Sequence, residues 1–456
     1  MNIIITIVIA AFLVLYAGLF KAKKALLPLT LVGLLVALGF AVASWNNNTI
    51  YFGMMKMDNF ALAFSAISIV GTFFIFLLTQ KYFAEGSDNI AEYFTLILFA
   101  LSGIVIMVSY QNLSMLFIGL EIMSVSLYIL AGIRKLNFAS NEASLKYFLM
   151  GAFSTGFLLF GITLIYGATG SFDIEVIQQY LVNNVKAVSP LFYPGVILIM
   201  IGLCFKVGAA PFHFWTPDVY DGAPTVFTSF MATIAKSAGF IAFINIYLVQ
   251  YKPFEKTWGI ILPLVIVSTL MVGNVTAVFQ RSVKRMLTYS SIAQAGFMLF
   301  ALYGSSSFAN EGILLYMVVY SLASIGIFAV LVKMKENSFE AFHGLAKTHP
   351  LLAFLTTVFL CSLAGIPITG GFFAKYYMIN AVLIAGAGIW LVVVAMIFAS
   401  ISVYYYFKLI QAMYFVPGTP AIGELDKTYT YKLAVIAVLI LVLGVLPNLL
   451  FNYLYF

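Results

Sequence analysis

Long apolar runs, separated by short polar stretches, fill the chain from one end to the other. A helix that crosses a bilayer needs roughly 20 mainly apolar residues. Fourteen runs meet that length, at about 2–20, 25–44, 60–80, 91–109, 111–131, 142–167, 190–210, 225–250, 258–279, 285–303, 310–333, 350–385, 387–414 and 431–455, the twelfth of them interrupted. The pattern predicts an all-α polytopic membrane protein with fourteen spans. The first run has neither a basic leader nor a small-residue cleavage site, so it is expected to stay as a span. The longest polar loops reach only about twenty residues, too short for a soluble domain.

Composition agrees. Apolar residues make up 63% of the 456 and charged residues 9%, against about 25% charged in an ordinary globular chain. The two cysteines, Cys204 and Cys361, lie in apolar runs without a CxxC partner, which excludes an iron–sulfur scaffold and a disulfide framework. Of the 23 Lys and Arg, fifteen fall in loops after odd-numbered spans. Only Lys56, Lys186, Lys252 and Lys256 fall after even-numbered ones. Basic loops face the cytoplasm, so both termini are expected outside. The net charge of +7 then reports topology and does not point to nucleic acid.

Internal symmetry is visible. Glu121 to Tyr147 and Ser290 to Tyr316 both cover 26 residues from one span into the next. The seventh span ends in Gly208-Ala-Ala-Pro211, and the twelfth is interrupted by Gly365-Ile-Pro367-Ile-Thr-Gly370-Gly371. Proline removes a helical hydrogen bond and glycine permits the bend. Freed backbone groups at membrane depth must line protein or water. Breaks at matching places in spans 4–8 and 9–13 predict two inverted five-helix repeats. The expected parts are an N-terminal segment at 1–90, repeats at 91–250 and 251–415, and a C-terminal helix at 416–456.

Charges inside the spans carry the candidate chemistry. Glu121 sits mid-way along span 5, and Lys206, Lys236, Lys375 and Lys408 lie within spans 7, 8, 12 and 13. A charge at a helix centre costs roughly 2.5–3.5 kcal/mol on insertion scales. Lys408 lies two turns from a span end and could snorkel to the interface. Lys375 follows a break, where it could simply neutralise freed carbonyls. A static Glu–Lys ion pair would account for one lysine and leave the others. Proton transfer accounts for all: burial disfavours an ammonium and a nearby carboxylate favours it, so small movements load or unload a proton. One carboxylate among lysines is a poor cage for sodium. His213, in APFHFWTP, reads as a loop-fixing hydrogen bonder at the membrane edge, and Asp218 and Asp221 as setting the turn into span 8. His343 and His349 lack ligand spacing.

The segment KVGAAPFHFWTPDVYDGAPTVFTSFMATIAKSAGF (206–240) resembles the hallmark stretch of the antiporter-like, proton-translocating subunits of respiratory complex I, Mrp-type cation/proton antiporters and membrane-bound hydrogenases. The resemblance runs over nearly the whole chain and is strongest to the N-type members of NADH-quinone oxidoreductase. The chain stops after span 14 without a long lateral helix, carries Lys375 in GGFFAKYYMIN, and reads QRSVKRMLTYSSIAQAG (280–296) at the start of span 10. It departs at GAPTVF (222–227), where members often read GAPTPV.

The resemblance implies that Glu121 pairs with Lys206, that Lys236 is the central relay group and that Lys375 lies toward the outlet. Lys408 is added as a channel-lining candidate. It also implies a bacterial inner-membrane location and no cofactor or metal on this chain, with FMN, iron–sulfur clusters and quinone on other subunits. The implied neighbours are an M-type antiporter-like subunit, small K/J-type subunits and lipids. An Mrp-type sodium/proton antiporter subunit is the alternative, with Lys375 against it. A piece whose buried ion pairs serve assembly alone is the third reading.

Overall fold

A computed structural model describes the chain apart from residues 85–88, 185–186, 252–254, 305–306, 387 and 455–456. Lys186 and Lys252, counted above for orientation, therefore lie outside the described residues. Among the described residues, eleven helices are long and apolar enough to cross a membrane, and three shorter apolar helices, Phe192–Val207, Leu262–Val278 and Pro350–Ala364, take the places of spans 7, 9 and 12. Together they are the fourteen spans expected from the sequence.

Local signals start and stop these helices. The side chain of Asn112 accepts from Ser114 N–H at the head of span 5 (Leu113–Ala131), and that of Ser282 from Arg285 N–H at the head of span 10 (Val283–Met298). Gly170, Gly208 and Gly365 end three helices at φ of 75°, 71° and 84°, a left-handed turn that glycine adopts without penalty. Two small elements escaped the apolar count, because neither is long or apolar enough to read as a span. A hairpin pairs Thr49–Tyr51 with Met55–Met57, and a surface helix covers Ile174–Asn183. Met55 bridges Tyr110, and Asp173 bridges Asn112, so both elements clasp the start of span 5.

Spans 4–8 and 9–13 form two successive sets of five. Five crossings return the chain to the opposite face, so the second set enters the membrane inverted relative to the first. Both sets open with a tightly packed helix pair. A Cβ on Gly103 of span 4 (Ile90–Val108) would lie 2.6 Å from Gly119 O, and one on Gly119 of span 5 would lie 2.8 Å from Gly103 O. In the second set a Cβ on Gly273 of span 9 would lie 2.4 Å from Ala293 N of span 10. Lipid gives helices no hydrophobic reason to associate, so close backbone approach through small residues supplies the contact.

Each set has its fourth span broken. Span 7 runs Phe192–Val207, turns, and resumes as Trp215–Gly222, while span 12 runs Pro350–Ala364 and resumes as Gly370–Ile384. The sequence reading ended span 7 at its break, but the structure continues it by two helical turns. His213 accordingly sits in the turn between the two halves of span 7. It is buried, and its Nδ1 has no hydrogen-bond partner.

A helix two spans on backs each break. Thr269 Oγ1 of span 9 accepts from Ala210 N–H at 2.9 Å, and Ser268 Oγ donates to Ala210 O at 3.3 Å. Span 14 (Lys427–Val445) presents Gly444 to the second break, where an added Cβ would lie 2.2 Å from Ile368 O. Backbone lies on both sides of that contact, and neither can give way. Gly444→Val is expected to destabilise the chain by about 1–3 kcal/mol through overpacking. A lower thermal midpoint in detergent would register this. Gly39→Ala, whose Cβ meets nothing within 4 Å, should leave that midpoint in place.

Candidate functional site: a buried row of lysines

Three lysines that the sequence singled out are buried: Lys206 at 8% exposure, Lys236 at 2% and Lys375 at 7%. Lys206 occupies the last turn of the first half of span 7, where a cation suits the helix dipole. Its Nζ donates to Ser124 Oγ at 2.9 Å and lies 3.4 Å from the Tyr128 hydroxyl, both on span 5. Glu121 stands one turn before Ser124 on that helix. Its Oε1 is buried without a hydrogen-bond partner. Among the described residues no ion pair within 4.0 Å joins Glu121 to Lys206. Span 5 thus brings the two onto one face while hydroxyl groups hold the ammonium.

Lys236 lies in span 8 directly after a widened π-helical turn, Met231–Ala235, a feature frequent at functional sites. Its Nζ donates to Ser291 O at 2.9 Å and to Ser291 Oγ at 2.5 Å, and lies 5.9 Å from the Tyr220 ring centroid. One carbonyl of the wide turn, Ala232 O, accepts from the Tyr320 hydroxyl at 2.9 Å.

Lys375 completes the second break. The last four carbonyls of a helix have no partner within it. At Pro350–Ala364, Cys361 O accepts from Gly365 and Ile366 N–H, and Ser362 O also accepts from Gly365 N–H. Leu363 O accepts from Gln294 Nε2 at 2.8 Å, and Ala364 O accepts from Lys375 Nζ at 2.8 Å. Side chains therefore satisfy half of what the break releases. The Phe297 ring lies 4.9 Å from Lys375 Nζ.

This architecture has counterparts among known proteins. The family described as NADH:quinone oxidoreductase/Mrp antiporter, TM matches residues 110–402. A relative from Flavobacterium psychrophilum, described as NADH-quinone oxidoreductase subunit N, is 42% identical over 98% of this chain and 99% of its own length. The chain belongs to the subunit N family of NADH-quinone oxidoreductases. A chain in a respiratory complex I from Thermus thermophilus superposes with a TM-score of 0.86 at 31% identity, covering 99% of this chain and 98% of that one. A chain of the Mrp complex from Dietzia sp. shares the fold, with a TM-score of 0.83 at 19% identity over 98% and 93% of the two chains.

The remaining residues sort clearly in this subunit N family chain. Pro211 lies in the first break, Gly365 and Pro367 lie in the second, and Gly370 opens the helix after it. Lys408 does not join the row. Its Nζ lies 4.6 Å from the ring of Phe339, in the connection after span 11, so it reaches toward the membrane edge. Asp218 and Asp221 do more than set a turn. Asp218 pairs with Lys146 at 2.7 Å and Arg285 at 3.1 Å, and Arg285 lies 3.5 Å from Asp221. That network ties span 6 and the second half of span 7 to span 10, joining the two five-helix sets.

Sequence reasoning missed two groups. Lys284, counted as a loop residue, is 3% exposed, and its Nζ donates to Asp221 O at 2.8 Å and Ala223 O at 2.5 Å. It closes the C-terminal end of Trp215–Gly222. The second group is neutral: Gln294 bonds Tyr406 and Tyr316, and Ser290 bonds Tyr406. Charge at depth was the signal followed, and amide and hydroxyl groups do not carry it. Lys284→Met should lower stability by about 1–3 kcal/mol, because it leaves buried carbonyls unpaired. Arg285→Gln, at a half-exposed pair, should change it by less than about 1 kcal/mol. Thermal unfolding of the two variants in detergent tests the difference.

Proposed function

We propose that this chain is a proton-translocating membrane-arm subunit of a bacterial inner-membrane NADH:quinone oxidoreductase. Protons pass along Glu121, Lys206, Lys236 and Lys375, driven by quinone reduction elsewhere in the complex. The chain contributes no redox centre and no NADH site. FMN, iron–sulfur clusters and quinone belong to other subunits. The lysine-rich face is cytoplasmic, and both termini lie outside.

The observation that carries the relay is how the lysines are held. Serine and tyrosine hydroxyls or main-chain carbonyls contact each of the three, and no carboxylate does so among the described residues. A buried ammonium clamped by a carboxylate is fixed, because breaking such a pair is costly. An amine facing neutral oxygens loses less when it gives up its proton. This weighs against a chain whose buried ion pairs serve assembly alone. Lys206 waits at Ser124, one helical turn from Glu121, where a small shift of span 5 against span 7 brings the carboxylate to the ammonium or takes it away.

The surroundings of Glu121 support a membrane-arm neighbour. Ile118, Val125 and Ile129 are 44%, 48% and 50% exposed, and they share a helical face with half-buried Glu121. An acidic group at mid-membrane does not face lipid without large cost. A neighbouring subunit covers that stripe, and an M-type or a small K/J-type subunit suits the role. Lipid fills the exposed apolar flank elsewhere.

Lys206→Ala and Lys236→Ala, each in fully assembled complex reconstituted into vesicles, should abolish most of the proton pumping per NADH oxidised. Unchanged pumping in both would overturn the relay. Sodium-dependent proton efflux without NADH would favour the Mrp-type reading instead.

A further inference from the structure

Span 10 touches both Lys236 and Lys375, yet beyond Arg285 it carries no carboxylate and no amine. Ser291 meets Lys236, and Phe297 meets Lys375 six residues later, a rise of about 9 Å along the helix. Gln294 stands between them. Its Nε2 donates to Leu363 O and, at 3.1 Å, to the Tyr406 hydroxyl, and its Oε1 accepts from Tyr316. A hydrogen-bonded chain passes a proton only through groups that accept on one side and release on the other. Hydroxyl groups and water do this. An amide nitrogen donates and cannot accept, so Gln294 interrupts any chain drawn through it.

Beside Gln294 lies a second path. A cavity of about 10 Å³ is lined by Gln294, Tyr316, Tyr320, Ser362, Leu363 and Lys375, among others, which is just enough room for one water. Ser362 is 2% exposed, and its Oγ has no hydrogen-bond partner. A buried hydroxyl without a partner is costly, and a helical serine ordinarily turns back to a carbonyl of its own helix. On the Lys236 side, the Tyr320 hydroxyl adjoins Ser291, and Tyr320 is among the residues that line the same cavity.

We propose that Ser362 and Gln294 hold a single water, and that this water carries the proton from Tyr320 to Lys375 around the amide. The inference rests on the relay reading given above. The Lys236 ammonium gives a proton to Ser291 Oγ, whose own hydrogen passes to the Tyr320 oxygen. The Tyr320 hydrogen, which rests on Ala232 O, turns to the water, and a water hydrogen goes to the free amine of Lys375. Each hydroxyl and the water ends as it began, one proton has moved, and no electron is exchanged. Gln294 is a positioning residue in this scheme. It fixes Tyr316 and the Leu363 carbonyl around the water and blocks the route through Tyr406.

Two measurements decide it. The first needs no variant: a cryo-electron microscopy map of the wild-type complex that shows ordered solvent should place density within hydrogen-bonding distance of Ser362 Oγ and Lys375 Nζ. The lack of such density in an otherwise well-hydrated map would overturn the site. The second compares Ser362→Thr with Ser362→Val, two side chains of equal shape of which only threonine keeps the hydroxyl. In assembled complex in vesicles, Thr should retain proton pumping per NADH and Val should lose it, as should Tyr320→Phe. Equal pumping by Ser362→Val and wild type would overturn the role in transfer. Where Thr and Val both prevent assembly, the wild-type map alone decides. Density at Ser362 together with unchanged pumping in Lys206→Ala and Lys236→Ala would leave the water site standing and remove the relay.

Discussion

A backbone amide or carbonyl in hydrocarbon has no water to turn to, and the chain breaks two of its helices at that depth. Every consequence that matters at the site descends from satisfying what those breaks release. At the second break two of the four freed carbonyls take side-chain donors, from Gln294 and Lys375. At the first, Thr269 and Ser268 of span 9 supply the partners for Ala210. The break at span 12 thus gives a charged residue a reason to be buried, and the cost of burying it is offset by carbonyls that would otherwise have none.

Holding charge with neutral oxygen differs from holding it with opposite charge. An ion pair fixes both partners and makes either expensive to lose. Neutral groups, Ser124, Ser291 and Ala364 O, hold Lys206, Lys236 and Lys375 in place. The full ion pairs of the region, among Lys146, Asp218, Arg285 and Asp221, lie in a separate network at the ends of spans 6, 7 and 10. There, partial exposure makes each pair weak and cheap to keep. The structural ties and the lysine row are therefore held by different chemistry in different places.

The two five-helix sets are used unequally. Each opens with a glycine-packed helix pair and breaks its fourth span, but Lys206 precedes its break while Lys375 follows its own. Span 5 meets the first lysine through hydroxyl groups beside a carboxylate. Span 10 meets the last through a phenyl ring, with an amide one turn away. The same scaffold therefore carries a charged approach at one end and a neutral one at the other.

The amino-acid sequence by itself determined the fourteen spans, the two breaks and the depth of Glu121, Lys206, Lys236 and Lys375. Each of these is a one-dimensional fact about length, proline, glycine and charge in an apolar run, and the bilayer makes such facts decisive. Only the tertiary structure decided what the lysines touch. It left Glu121 and Lys206 unpaired, sent Lys408 toward the membrane edge, buried Lys284 under the end of a helix, and put Gln294 between Lys236 and Lys375. Hydrogen bonds at a few ångströms depend on how five or six helices meet, and neutral donors leave no mark in a pattern of charge and hydrophobicity. Lys236 reaches Ser291, and Gln294 reaches Leu363 and Tyr406, across 55 to 112 residues of chain, where no local signal reaches.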